Sequence, residues 1–331
     1  MTDKILPSIY PTGSLKFNDP QRADLPVAVD RPTPYRVVDD CIFSEALEIA
    51  VTEHCNFSCK SCSHLAPILK KSVVEPSEIK AALSLLSRHY KATHVRLVGG
   101  EPLLHPRLVD LIEAIKLSGV TERVRVITNG SLPNRMTPEF WVAVDEVHIS
   151  IYPGKEMSRA ALETLAEQSE KYGKCLVVKR FDRFRETYAQ KGSDDFHLIN
   201  RIYRSCQIAH TWRCHTVSRG YFYLCPQSIF VPMISHSSSD NQEYKENGLK
   251  ISGDSGFGQE LLRFLESEDP LSACSSCLGS VGKLFNHEQV PRNIWTQYQQ
   301  YTTEELLDRE FLEQLESDPD KHNGCFETMP Q

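Results

Sequence analysis

The sequence lacks any long apolar run: none of its 331 residues falls in a stretch approaching the roughly 18 uninterrupted apolar residues that a membrane helix needs. Its start, MTDKILPSIYPTGSLKFNDP, has no apolar core of the kind that marks a secretory signal. The expectation is a cytoplasmic protein without a membrane partner. A basic excess is missing too. With 37 Lys and Arg against 44 Asp and Glu, the formal net charge of -7 argues against a nucleic-acid backbone as the main partner. No internal repeat is present. The composition, 40% hydrophobic and 24% charged, is that of an ordinary globular chain that builds its core without disulfide staples.

Cysteine, by contrast, is plentiful, at eleven residues. In a reducing compartment these do not form a disulfide framework. Their grouping into pairs and a triplet points to metal or cluster ligation.

Along the chain, 1–45 reads as an irregular extension, rich in proline and polar residues. Regular alternation then begins. Strand patterns at 46–54, 94–100, 123–130, 146–152 and 175–181 are separated by amphipathic helix patterns at 75–90, 106–119 and 158–173. Strand and helix in alternation predict an α/β fold with a parallel sheet or barrel over 46–200. The pattern alone does not separate a partial barrel from a doubly wound sheet. Cysteines gather again over 201–285, interrupted by a polar stretch at 235–256 that reads as a loop or insertion. Helical patterns near 257–267 and 303–316 follow, and 286–331 reads as a helical C-terminal segment.

The polar groups sit just after strand ends, which in a parallel barrel share one face. Cys55, Cys59 and Cys62 form C-x3-C-x2-C directly after the first strand. Three thiolates this close can take three irons of one cubane and leave the fourth open. A structural zinc site wants four closed ligands, and no C-x2-C with a following histidine pair lies nearby. A zinc knuckle, or cysteines that are simply buried, is the competing reading. His54 and His64 flank the triplet as surface or supporting groups.

The triplet resembles the signature of the radical S-adenosylmethionine (SAM) superfamily. That resemblance implies a partial (β/α)6 TIM-like barrel, a [4Fe-4S] cluster, SAM bound to its open iron, and reductive cleavage of SAM to a 5′-deoxyadenosyl radical. It also implies a flavodoxin- or ferredoxin-type electron donor. One departure is visible: the residue before the third cysteine, usually aromatic and seating the adenine, is Ser61. Gly99-Gly100-Glu101-Pro102 resembles the family's GGE motif, which binds the SAM amino group; an ordinary turn between strand and helix is the alternative. By the same resemblance Thr128, Asn129, Ser150 and Tyr152 line the SAM ribose and carboxylate, and Arg180 pairs with the carboxylate. Each of these is equally readable as a polar turn, a half-buried strand position or a solvated arginine.

The second cysteine group resembles the twitch or truncated SPASM appendage of the same superfamily, with an auxiliary [4Fe-4S] cluster. Cys225, Cys274 and Cys277 are the expected ligands, with Cys206 or Cys214 as the fourth; a zinc ribbon is the alternative. YFYL and Gly220 suit a hairpin. The remaining cysteines, Cys41, Cys175 and Cys325, read as small buried hydrophobes; for Cys325, in KHNGCFETM, the alternative is a hydrogen-atom donor to a substrate radical. Three functions follow: oxidation or remodelling of a small polar metabolite such as a sugar or aminocyclitol; modification of a ribosomally made peptide; or a non-catalytic zinc or iron-sulfur protein.

Overall fold

The computed structural model describes residues 14–17, 35–235, 243–295 and 300–317. Its main sheet is built from β1 (Ser14–Phe17), β2 (Arg36–Val38), β3 (Cys41–Thr52), β4 (Tyr90–Gly99), β5 (Val124–Thr128), β6 (Glu146–Ile151) and β7 (Cys175–Arg180). It continues through β9 (Thr216–Ser218), β10 (Tyr221–Tyr223) and β11 (Gly248–Lys250), while β8 (Arg183–Arg185) and β12 (Leu284–Asn286) pair separately.

The strands β3 to β7 lie side by side in sequence order, and all are parallel. Between them run α1 (Pro76–Leu86), α2 (Leu108–Leu117), α3 (Pro138–Ala143) and α4 (Arg159–Lys171). Parallel crossovers are right-handed, so an unreversed strand order places the helices on one side. A doubly wound sheet would need a reversal of strand order. The architecture is therefore that of a partial TIM-like barrel, with five consecutive parallel strands among the described residues. After β7 the chain leaves the run to make β8, which pairs with β12.

Period-2 alternation divides each strand between two environments. Leu47, Ile49, Val51, Val95 and Leu97 are buried in one core with Ile79 and Leu83 of α1 and Leu111, Ile112 and Ile115 of α2. The opposite face carries charge: Glu48 lies in register with Arg96, and Arg96 with Arg125. At the ends of β3 to β7 that follow these layers, the loops form the mouth of the barrel.

Two parts differ from the expectation drawn from sequence. The segment read as irregular contributes β1, antiparallel to β7, and β2, antiparallel to the start of β3, which begins at Cys41 and not at Ala46. These strands are too short to announce themselves by period. The helix expected over 303–316 is two helices, Thr303–Leu306 and Arg309–Ser317. The break between them lets Asp308 N–H bond to Val281 O at 2.9 Å. The hairpin of β9 and β10 is present, with Arg219 at φ 50° and Gly220 at φ 78° in its two-residue turn. Left-handed φ at both positions is what such a turn demands. Cys325 lies outside the described residues.

Candidate functional site

The loop after β3 brings Cys55, Cys59 and Cys62 together. Cys59 feels the charge of both its partners, and Cys55 that of Cys62. Burial pushes the Cys55 thiol up to about 12, and the Cys59 and Cys62 thiols up as well. N–H donors nevertheless point at the sulfurs. Phe57 N donates to Cys55 Sγ at 3.3 Å, Asn129 Nδ2 to Cys55 Sγ at 3.6 Å, and Gln289 Nε2 to Cys59 Sγ at 3.1 Å. Backbone amides of His64, Leu65 and Ala66 face Cys62. Donors aimed at sulfur favour thiolate, and a bound cation supplies the charge that drives a buried thiol to ionise. Three thiols on one loop, with N–H donors aimed at their sulfurs, are a donor set that fits a cluster whose irons are bound one per thiolate.

The glycine pair holds this loop. Gly100 N donates to Thr52 O at 2.8 Å, and Glu101 N to His54 O at 3.0 Å. A Cβ on Gly100 would lie 1.8 Å from the His54 carbonyl oxygen. Gly100→Ala must therefore displace the loop that carries the triplet. It is expected to cost on the order of 3 kcal/mol, as other overpacking changes do, and to cut iron uptake at this site. Calorimetric melting and iron per chain after anaerobic reconstitution check both.

The Glu101 carboxylate is fully buried and bonded within the protein: Oε1 accepts from Thr128 Oγ1 at 2.6 Å and Leu103 N at 3.0 Å, and Oε2 from Asn129 N at 2.8 Å. Its work is to fix the end of β5. Thr128, 1% exposed, is committed to the same bond. Asn129 is placed differently. Its Nδ2 reaches Asn56 Oδ1 at 2.9 Å as well as Cys55, so it ties the triplet loop to β5. Gly99, at φ 128°, sits where a Cβ would meet Thr52 O at 2.5 Å. Ser150 is buried and bonds the Tyr152 hydroxyl. Burial, and after it the charge of the three thiols, pushes the Tyr152 phenol up. The Arg180 guanidinium is paired with Asp182 at 2.6 Å and Glu156 at 3.0 Å.

The second thiol set is clearer than the sequence allowed. Cys206, Cys225, Cys274 and Cys277 line one cavity, walled by Ile202, Tyr203, Leu224 and Leu271. Burial and then Cys225, Cys274 and Cys206 push the Cys277 thiol well up. Cys206 completes the four cysteines of the lining. Cys214, offered as its rival, is buried against Glu48, to which it hydrogen-bonds, and is not among the residues lining this cavity. Cys175 is buried in β7, and Cys41 is half-buried at the start of β3.

One segment joins the two sets. Glu186 pairs with Lys60 at 3.3 Å and accepts from Ser61 Oγ, Thr187 Oγ1 donates to Ser61 O at 3.1 Å, and Tyr188 OH donates to Ser63 O. From its other side, Leu278 N donates to Thr187 O at 3.0 Å and Ala189 N to Ser276 O at 3.0 Å. Sequence reasoning missed this segment, and it missed the stretch after β12. There Val290 N donates to Ser58 O at 2.8 Å, Gln289 Oε1 accepts from Ser58 N at 2.8 Å, and Trp295 Nε1 donates to Cys59 O at 2.8 Å.

The fold and the triplet define the class. Residues 49–157 match the family described as the Radical SAM superfamily, and the chain carries a radical SAM domain. That family implies a [4Fe-4S] cluster and SAM. Among particular relatives, the chain is 33% identical over 110 residues to a GTP 3′,8-cyclase of Trichodesmium erythraeum (strain IMS101), covering 32% of this chain and 34% of that one. It is 37% identical over 90 residues to a GTP 3′,8-cyclase of Trichormus variabilis (strain ATCC 29413 / PCC 7937), covering 26% and 27%. The match thus spans about a third or less of these relatives' length. A crystal structure of BtrN in complex with AdoMet and 2-DOIA superposes with a TM-score of 0.41 at 16% identity, over 67% of this chain and 82% of that one. A likeness that loose carries no argument about function.

Proposed function

We propose that this protein is a radical SAM enzyme that dehydrogenates or remodels a small polar metabolite, such as a sugar or aminocyclitol, and carries two [4Fe-4S] clusters. The observation that supports the reading is the contrast between the two thiol sets. Three thiols after β3 leave one iron open for SAM. Four thiols around the second cavity satisfy every iron and leave no open position, which suits an electron carrier more than a ligand site. When bound, these groups supply one-electron cleavage of SAM to a 5′-deoxyadenosyl radical, hydrogen abstraction from a substrate carbon, and an acceptor for the electron that the substrate then gives up.

The chain's own residues do the holding. Asn129 and Gln289 donate to the triplet sulfurs, Gly100 and Glu101 clamp its loop, and the rings of Phe57, Phe181 and Phe184 pack around that of Tyr152 beside it. A flavodoxin- or ferredoxin-type protein is the proposed donor, in the cytoplasm. Among the described residues no helix is long and apolar enough to cross a membrane.

Iron content tests the two-cluster part. Reconstituted protein is expected to hold about eight irons, four for each cubane. Cys206→Ala should fall to about four, whereas Cys214→Ala should keep about eight. The reverse result would return Cys214 to the ligand set. A product two daltons lighter than its substrate supports dehydrogenation. The similarity to GTP 3′,8-cyclases favours a second reading, a rearrangement of GTP. Incubation with GTP, SAM and reductant separates the two, since only the second predicts consumption of GTP.

A further inference from the structure

His287 follows β12 and had no role in the sequence reading. Its residue is 7% exposed, yet neither Nδ1 nor Nε2 has a hydrogen-bond partner. A neutral imidazole carries one donor and one acceptor, and burying both unmatched is unfavourable. The ring is not free to turn away. It stacks on Tyr152 with centroids 4.7 Å apart and planes at 18°, and Phe184 meets it edge-on at 4.7 Å. Its backbone N–H is fixed to Asp182 O at 2.8 Å. The place is specific as well. Tyr152 follows β6, and its ring meets Phe57 of the triplet loop at 6.3 Å and Phe181 after β7 at 6.2 Å between centroids. Gln289, two residues beyond His287, donates to Cys59. An unmatched donor and an unmatched acceptor therefore stand on an aromatic wall at the barrel mouth, beside the triplet.

We propose that His287 is a ligand-binding residue of this mouth, giving one hydrogen bond to a hydroxylated ring and accepting one from it. The proposal rests on the function proposed above. Ring hydroxyls act as donor and acceptor together, and the C–H faces of such rings suit an aromatic wall. Two hydroxylated rings come close to the triplet in that reading: the ribose of SAM, one methylene from the sulfonium, and the substrate itself.

The test uses the full chain, reconstituted anaerobically. His287→Phe keeps a ring against Tyr152 and removes both nitrogens. His287→Asn restores one donor and one acceptor. Equilibrium dialysis measures affinity for SAM and, with SAM saturating, for GTP and myo-inositol as hydroxylated-ring probes. With iron content and Tm at wild-type values, His287→Phe is expected to weaken at least one of these ligands by about tenfold or more, the scale of a lost buried polar contact, and His287→Asn to recover most of it. A loss that includes SAM assigns the ribose; a loss confined to GTP or myo-inositol assigns the substrate. Wild-type affinity of His287→Phe for every ligand that the wild type binds overturns the proposal. If His287→Phe folds poorly, His287→Leu makes the same deletion. Wild-type protein that binds no SAM sinks the underlying function, and this inference with it, before any substitution is made.

Discussion

Cys59→Ala is expected to leave about four irons per chain and no 5′-deoxyadenosine above background. Of the three triplet cysteines, Cys59 is the one the rest of the protein grips hardest. Its sulfur accepts from Gln289, its carbonyl from Trp295, and it forms an antiparallel bridge with Gln289. Alanine keeps the backbone bonds and removes only the thiolate, so the loop should stay in place while one iron loses its anchor. The four thiols of the second cavity are untouched, which is why half of the iron remains. Gln289→Leu is the control. It removes an N–H from sulfur without removing a ligand, so iron stays near eight, and the potential of the triplet cluster moves more negative because hydrogen bonds to sulfur stabilise the reduced form. Iron assay, 5′-deoxyadenosine by chromatography and a redox titration read all three outcomes. Full SAM cleavage by Cys59→Ala would remove the cluster from this site.

Much of this site was legible in sequence because it is local. A thiol triplet directly after a strand, and a glycine pair at the end of the next, each lie within a few residues. Parallel strands bring such ends to one face. What stayed hidden is contact across the chain. Gln289 and Cys59 are 230 residues apart, and nothing in the period or composition of 286–295 links them. The partners of Glu101 were equally hidden: only the fold shows that its carboxylate accepts from Thr128 and Asn129. That Cys206 and not Cys214 lines the second cavity was, in part, legible. Glu48, Arg96 and Arg125 occupy the same phase of three successive strands, so one face of the sheet is charged. A cysteine just before a strand that pairs at Glu48 joins that charged layer, as Cys214 does.

That layer supports the second large expectation, which concerns stability. Arg96→Met should lower stability by on the order of 3–5 kcal/mol, the usual result of removing one partner of a buried ion pair. Arg96 Nη1 lies 3.3 Å from Glu48 Oε1, with side chains 11% and 9% exposed. The guanidinium also donates through Nε to His94 Nε2 at 3.1 Å. Burial already holds the Glu48 carboxyl above its ordinary range, and Arg96 is the group that pulls it back. Without Arg96 the folded-state value rises further above the unfolded one. The native state then binds a proton that the unfolded state releases, and stability falls as pH rises between the two values. The part of the Arg96→Met deficit that comes from Glu48 should therefore be full at alkaline pH, shrink as pH falls through the raised value, and be gone below the unfolded one, leaving the smaller cost of the lost His94 bond. At neutral pH it corresponds to a drop in Tm of roughly 5–10 °C for a chain of this size. Replacing both partners, Glu48→Leu with Arg96→Met, should recover most of the loss, because no charge is then left buried alone. Melting curves of the three proteins across pH decide it; a deficit that does not change with pH would place the effect in packing and not in the ion pair.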